Sequence, residues 1–354
     1  MILLFLVSIF VSFTLIYNLL RHKKTLHPWQ RKKLTLTQLN DPTLFSTHNH
    51  CTIRFLGGFL SAKRYENRLL FHKQQNLEPL ACGVTQTMIG KFESAIHNYV
   101  VLQRDEHKPF ILKLPLLKNM HPGLRWNQNW EDCRLFYYQI PNKTGRLFLT
   151  GTVLTKNNVR IGMVELDHTK PNFPVKRGFV LGSDQELGLV ESQKMQKNYI
   201  LFANDKNEAC ILTHACPRWT VYRINLDTGE MFGKSQVDST LFFHEEISAS
   251  LLVRCSSPMV QWSDSTYLCA LHTRDQDKPG RAPRYRTIFV EFESRWPYRL
   301  LRKSKIFQFI HPSRRVEFVA GLCEFDEETL LVSLGIDDLE AKSIKISKNK
   351  VFSK

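Results

Sequence analysis

From about Leu34 to the C-terminus, short runs of strand-forming residues alternate with polar or turn-like segments. Asp227-Thr228-Gly229 and Lys278-Pro279-Gly280 between such runs are typical of hairpin turns. No long amphipathic pattern of helical period occurs, apart from a short helix predicted around Asp184 to Lys197. Many short strands at regular intervals indicate an all-β sandwich, barrel or propeller. The clearest runs are GRLFLTGTVL (145–154), VRIGMVELD (159–167), NYILFAN (198–204), WTVYRINLD (219–227), STYLCALHT (265–273), RTIFVEFES (286–294), RVEFVAGLCEF (315–325) and TLLVSLGIDD (329–338).

Size selects among these all-β architectures. A segment of roughly 315 residues exceeds the usual sandwich, whereas a propeller of four-stranded blades can hold it. At about 55 to 65 residues per blade, loops included, five blades would fit. No WD or kelch repeat is visible, and no linker divides the segment. The sequence therefore predicts a five-bladed β-propeller over residues 41–354.

The first forty residues differ from the rest of the chain. Residues 2–20 are almost wholly apolar and would come close to the thickness of a bilayer core as a helix. A cleaved signal peptide is the alternative, but no positive charge precedes the run and no small-x-small site follows it. We therefore predict a transmembrane anchor at 1–20, a basic stalk at 21–40 and a single-pass membrane protein.

The side of the membrane stays open. The basic flank Arg21-His22-Lys23-Lys24 favours a cytoplasmic location for the main domain. The sequon Asn142-Lys143-Thr144 would matter only in a lumen.

The net charge and the cysteine content limit the classes of binding partner and of site that the chain can have. The chain has 49 Lys+Arg against 33 Asp+Glu, a net charge of +16, which suits an anionic partner such as nucleic acid, acidic lipid, phosphate or a sugar nucleotide. No arginine-rich arm, zinc-finger spacing or aromatic RNA-binding signature occurs, so no specific nucleic-acid partner is predicted. The 8 cysteines form no CxxC pair and are most simply buried thiols. No cluster has metal-ligand spacing, so we expect no metal and no bound cofactor; the oligomeric state is left open.

The stretch from Trp130 to Phe136 carries the most chemistry in the fewest positions. Glu131, Asp132 and Arg134 lie within it, ahead of an apolar, strand-forming run. On a regular strand Asp132 and Arg134 would share one face, and Glu131 and Cys133 the other. A carboxylate and an arginine on one face can hold a polar ligand, or they can neutralise each other.

Several other polar groups also stand at the edges of predicted strands. Each has an ordinary structural interpretation when taken alone, such as a turn, a surface residue or a solvated acidic loop. The order and spacing of these groups along the chain carry more information than any single group. The polar groups are His48-Asn49-His50, Lys63-Arg64-Tyr65, Lys197-Asn198-Tyr199, Pro258 with His272, and Asp337-Asp338.

As an ordered series, these groups resemble the five-bladed propellers of glycoside hydrolase family 130, the β-mannoside phosphorylases and their hydrolase relatives, and the related β-1,2-mannosyltransferases. Glu131-Asp132-Cys133-Arg134 matches the family's Glu-Asp-Pro-Arg element. The further matches are Asn49, Arg64, Lys197-Asn198-Tyr199, Pro258, His272, Phe318 to Gly321, and Leu334 to Asp338. Cys133 stands in place of proline, Tyr199 in place of tryptophan, and Leu334 in place of tyrosine.

The resemblance implies a carbohydrate substrate and an inverting attack on β-mannosides, by phosphorolysis or glycosyl transfer and less favourably by hydrolysis. It makes Asp132 the general acid, and phosphate or a sugar nucleotide the co-substrate. Arg64, Arg134, Lys197 and His272 become candidates for a cationic cradle. The substrate-binding residues it implies are Asn49, Arg64, Glu131, Arg134, Lys197, Asn198, His272 and Asp338.

Two alternatives remain open from the residues themselves. One is a non-catalytic propeller that binds glycans or proteins at a membrane. The other is a furanosidase-like propeller, which needs three carboxylates, of which Asp132 and Asp338 would supply two.

Overall fold

The computed structural model describes residues 45–67, 98–105, 107–118, 120, 130–139, 144–155, 159–182, 197–275, 284–309, 316–337 and 340–353. These residues form strands β1 to β19, one short α-helix, α1 (His244–Ser248), and a 3₁₀ turn at Lys348–Lys350. The turn predicted at 278–280 lies outside the described residues. So does the helix predicted around Asp184 to Lys197, except for Lys197, which is not in a helix.

The strands form five antiparallel sheets, which we call blades 1 to 5. Blade 5 has three strands within the described residues, and the others have four. Blade 1 contains β1 (Phe45–Phe55), β2 (Gly58–Asn67), β3 (Asn98–Arg104) and β4 (Phe110–Leu112). Blade 2 contains β5 (Glu131–Tyr138), β6 (Arg146–Leu154), β7 (Val159–Leu166) and β8 (Val175–Val180). Blade 3 contains β9 (Ile200–Ala203), β10 (Ala209–His214), β11 (Arg218–Ile224) and β12 (Met231–Asp238). Blade 4 contains β13 (Leu251–Ser263), β14 (Thr266–Asp275), β15 (Tyr285–Glu293) and β16 (Leu300–Lys303). Blade 5 contains β17 (Glu317–Glu324), β18 (Thr329–Ile336) and β19 (Glu340–Ser347).

The first strands of the blades surround a common axis. Each first strand contacts the first strand of the next blade, in the order β1, β5, β9, β13, β17 and back to β1. Strands are hydrogen-bonded in chain order within every blade. The predicted five-bladed β-propeller is therefore confirmed, and the eight strand runs identified in the sequence each correspond to a strand.

Burial along the strands explains why the sequence shows apolar runs more often than strict alternation. Inner strands are covered on both faces because each blade stacks on its neighbours, so β7 and β14 are buried along almost their whole length. Outermost strands such as β12 and β19 have only one covered face and carry many exposed polar residues.

The apolar core is divided among the spaces between blades. Separate clusters fill the spaces between blades 1 and 2, 2 and 3, 3 and 4, and 4 and 5. The contact between blades 5 and 1 is partly polar. The Phe59 and Phe325 rings stack at 5.6 Å. His50 lies 3.0 Å from the hydroxyl of Thr52 and 3.2 Å from that of Ser343, and Ser333 donates to Thr52 at 3.1 Å. Hydrogen bonds therefore help to close the ring, and they pair the buried polar groups of His50, Thr52 and Ser333.

The predicted single-pass membrane protein needs correction. No helix within the described residues is long and apolar enough to cross a membrane. The α-helix found there, α1, spans 5 residues, because the periodic pattern of the described chain favours strands. Residues 2–20, on which the prediction rested, lie outside the described residues, and the division into anchor, stalk and propeller domain stays a prediction.

Candidate functional site

The seven predicted site residues whose side chains the structure describes lie at one end of the propeller axis, which we call the mouth. First strands begin at the mouth and second strands end there. Glu131 and Asp132 begin β5, and Arg64 lies near the end of β2. Lys197 stands just before β9, and His272 lies near the end of β14. Residues far apart in sequence are therefore brought to one place by blade geometry alone.

A β-bulge places the Asp132 carboxylate. Glu131 pairs with Thr152 and Arg134 pairs with Thr150, so β5 holds one more residue than β6 over this interval. Asp132 takes up the irregularity with a φ of 50°, in the left-handed region that aspartate tolerates better than most residues. The bulge breaks the strand alternation expected from the sequence. Asp132 and Glu131 now approach the same partner, whereas Cys133 is buried in the apolar core.

Comparable irregularities occur in three other first strands. The register shifts between His48 and Cys51 in β1, and between Val319 and Gly321 in β17. A longer shift lies between Cys255 and Met259 in β13. Bulges re-aim side chains and are common beside functional sites. Four of the five first strands therefore depart from regular geometry.

Two carboxylates and two cations meet at the mouth. Arg64 Nη1 lies 3.6 Å from Asp132 Oδ1 and 4.0 Å from Glu131 Oε2. Lys197 Nζ lies 3.9 Å from Glu131 Oε2. The Asp132 side chain is 14% exposed and that of Lys197 is 33% exposed, so both reach solvent. Burial lowers the pKa of Lys197, but the Glu131 and Asp132 carboxylates raise it further, so the net direction is upward and Lys197 is charged.

Arg134 lies beneath this group and is buried. Its Nε donates to the carbonyl oxygen of Ser256 at 2.7 Å, and its Nη1 donates to that of Asp132. Its Nη2 donates to Asn198 Oδ1 at 3.3 Å. The Phe318 ring lies 5.0 Å from the guanidinium carbon. Protein groups thus surround the guanidinium.

His272 lies at the back of the site and is enclosed. The ring of Tyr285 stacks on it at 5.4 Å, and the ring of Phe318 meets it edge-on at 5.1 Å. Burial, with further lowering by Arg254 and Arg134, brings the pKa of His272 to about 3. The imidazole is therefore neutral at physiological pH and contributes no positive charge to an anion cradle.

The predicted residues thus fall into three groups. Arg64 contacts Glu131 and Asp132, and Lys197 contacts Glu131; Arg64 is buried, and the other three side chains are partly exposed. Arg134, Asn198 and His272 lie behind them and are buried. The backbone of Asn49 belongs to β1, but its side chain, like the whole of Asp338, lies outside the described residues. Within the described part of the chain, no group of three His, Cys, Asp or Glu side chains could hold a metal ion.

Sequence reasoning missed two aromatic residues and one backbone acceptor. Tyr285 begins β15 and had no signal beyond being an aromatic residue at a strand edge. Phe318 belonged to a quoted motif but was not counted as a site residue. The carbonyl of Ser256, which accepts a hydrogen bond from Arg134, lies in the irregular part of β13 between Cys255 and Met259. No local sequence pattern predicts this irregularity.

Comparison with known proteins agrees with this architecture. The sequence matches no protein-family model and no curated protein sequence. Among solved structures, the β-1,2-mannobiose phosphorylase of Listeria innocua, solved with β-1,2-mannobiose, is similar with a TM-score of 0.53 at 10% identity, over 92% of this chain and 94% of that one. A mannose phosphorylase of Leishmania mexicana, solved with a phosphate ion, is similar with a TM-score of 0.51 at 11% identity, over 87% and 86%.

The chain shares the fold of the mannoside phosphorylases. The resemblance noted in the sequence is therefore confirmed at the level of fold. At 10 to 11% sequence identity the similarity shows a shared fold, and it does not assign roles to individual residues.

Proposed function

We propose that the protein acts on β-mannosides or related glycans by an inverting displacement, phosphorolysis or glycosyl transfer, with Asp132 as general acid. The observation that carries the proposal is the carboxylate of Asp132, which a bulge holds at the mouth, 3.6 Å from Arg64 and open to solvent. Propeller enzymes bind their ligands at the end of the axis, where residues from several blades converge.

In the proposed reaction, protonated Asp132 gives its proton to the glycosidic oxygen while the bond from that oxygen to the anomeric carbon breaks. The nucleophile attacks the anomeric carbon from the opposite face, so the configuration inverts. With phosphate, the products are the sugar 1-phosphate and the released alcohol. With a sugar nucleotide as donor the reaction runs in the synthetic direction. The acceptor hydroxyl attacks the anomeric carbon, the ionised Asp132 carboxylate takes the proton of that hydroxyl, and the nucleoside diphosphate leaves.

The charged neighbours support binding of such substrates. Lys197 is a half-buried cation within reach of solvent and Arg64 is a buried cation beside the Asp132 carboxyl group. An arginine can bind phosphate oxygens in bidentate fashion. Glu131 can accept hydrogen bonds from sugar hydroxyls. Roles for Asn49 and Asp338 in substrate binding belong to the proposal. Asn198 faces Arg134, whose charge acts on the mouth from behind the residues that meet the substrate, and His272 can offer only a neutral imidazole.

The test compares the full-length wild type with Asp132→Asn on β-linked mannobioses, with and without phosphate, and on a mannosyl nucleotide with a mannoside acceptor. We expect product from the wild type and a loss of at least about a hundredfold in the variant, with mannobiose binding retained in calorimetry. Asp264→Asn, at an exposed turn on the opposite side of blade 4, is the matched control and should behave as the wild type. Mannobiose binding by a wild type that releases no product would identify a non-catalytic glycan-binding propeller instead.

A further inference from the structure

One guanidinium at the mouth ties four of the five blades together. Arg134 belongs to blade 2, and its hydrogen bonds reach Asn198 before blade 3 and the carbonyl of Ser256 in blade 4. Its guanidinium carbon lies over the Phe318 ring of blade 5. An arginine can do this because it carries five N–H donors in a rigid plane that also stacks on aromatic rings. A lysine or a neutral residue could not make the same set of contacts.

The hydrogen-bond acceptors of Arg134 are neutral and belong to the protein. Two are backbone carbonyls, of Asp132 and Ser256, with a longer contact at 3.4 Å to the carbonyl of Cys133, and the side-chain acceptor is an amide oxygen. The side chain is buried, at 5% exposure. A sugar or phosphate would have to displace several of these bonds to reach it.

Two of the residues that Arg134 holds are in the left-handed backbone region. Asp132 has a φ of 50° and Asn198 has a φ of 63°. Asparagine and aspartate visit this region more readily than other residues with a Cβ atom, but only where the surroundings favour it. Arg134 bonds the carbonyl of one and the amide oxygen of the other, so it stabilises both turns at once.

From this geometry we infer that Arg134 is a positioning residue, which acts on the reaction through Asp132 and not by contact with substrate. It holds the bulge of β5 so that the Asp132 carboxylate points into the mouth beside Arg64, and Asn198 completes the support from blade 3. The inference rests on the proposed function, since it assigns a role in turnover.

The test uses four variants of the full chain. Arg134→Lys keeps the charge but loses the planar donors. Asn198→Gly tolerates the positive φ and removes only the amide acceptor, so it stays informative if Arg134→Lys does not fold. Asn198→Asp restores an acceptor at the same place. Arg146→Lys is the matched control. Arg146 also belongs to blade 2 and binds protein acceptors of blades 2 and 3, Glu165 and Asp227, but at the other end of β5 and β6.

We expect kcat to fall about a hundredfold in Arg134→Lys and Asn198→Gly, because a displacement of about 1 Å at a catalytic group has that effect. KM should stay within about twofold, Asn198→Asp should recover most of kcat, and Arg146→Lys should match the wild type. A rise in KM with kcat unchanged would show that Arg134 binds substrate and would overturn the inference. Wild-type kcat and KM in both Arg134→Lys and Asn198→Gly would overturn it as well.

Failure of the proposed function is distinguishable, because it would show as absence of turnover in the wild type. A crystal structure of Asn198→Gly then decides the positioning role without activity. Movement of the Asp132 carboxylate by more than about 1 Å from its place beside Arg64 would uphold it, and an unmoved carboxylate would overturn it.

Discussion

Cη2 of Trp130 lies 2.8 Å from the point where a Cβ atom on Gly162 would stand. Gly151 is the register partner of Gly162, and a Cβ atom there would lie 3.0 Å from Cε3 of the same ring. The indole is buried and fills the space that this pair of glycines leaves open on β6 and β7. Because Trp130 directly precedes Glu131 and Asp132, this contact anchors the start of β5 beneath the mouth.

Gly162→Ala should therefore destabilise the protein. The added methyl group meets a large buried ring, and overpacking of this kind costs about 1 to 3 kcal/mol. The measurement is the free energy of unfolding in urea. Trp130→Phe in the same chain shortens the ring and should recover part of the loss, so the two substitutions together should cost less than their sum. Strictly additive effects would mean that the methyl group does not meet the indole.

Replacement of Arg64 should impair turnover more than folding. Arg64 is the cation that contacts both Glu131 and Asp132, and in the proposed reaction its charge would stabilise the Asp132 carboxylate that proton transfer leaves. We expect kcat/KM to fall about a hundredfold in Arg64→Met, and less in Arg64→Lys, which keeps the charge but not the fork. Arg177→Met, on the outer strand β8, serves as the surface control. Wild-type kcat/KM in Arg64→Met would contradict the arrangement described for the mouth.

Two buried histidines should make stability depend on pH. Burial, aided by the charge of Lys63, lowers the pKa of His50 to about 3, and burial with Arg254 and Arg134 brings that of His272 to about 3. Their ordinary value of 6.5 applies in the unfolded chain, so between pH 6.5 and pH 3 the unfolded state binds more protons. The contribution of the two neutral histidines to the free energy of unfolding is therefore fully present above pH 6.5. It decreases as the pH falls, by about 2 kcal/mol per histidine at pH 5.

The check is the free energy of unfolding in urea at several pH values from 7.5 to 5. His50→Gln and His272→Gln should each flatten the dependence by one histidine's share, whatever they cost at pH 7.5. His107→Gln, at an exposed position, should leave the slope as it is. An unchanged slope in both core variants would show that these two side chains do not titrate as their burial requires.

Local sequence identified eight of the nineteen strands in the described residues and, together with length, the number of blades. Runs such as 159–167 and 265–273 are apolar almost throughout because their strands, β7 and β14, are covered on both faces. Turn residues such as Asp227-Thr228-Gly229 mark the hairpins through their own backbone preferences. Length then limited how many such hairpins could close a ring. The stretch Glu131 to Arg134 was also visible, because it places two carboxylates and an arginine within four positions at a strand edge.

Only the tertiary structure decided what those residues do to one another. The bulge at Asp132 brings Glu131 and Asp132 together at Arg64, which regular alternation would have kept apart. Contacts from three other blades enclose Arg134, and two aromatic rings leave His272 neutral. The orientation, burial and charge state of these side chains depend on neighbours that are distant in sequence. Residue types and spacing can therefore indicate which residues form a site, but they do not determine its geometry.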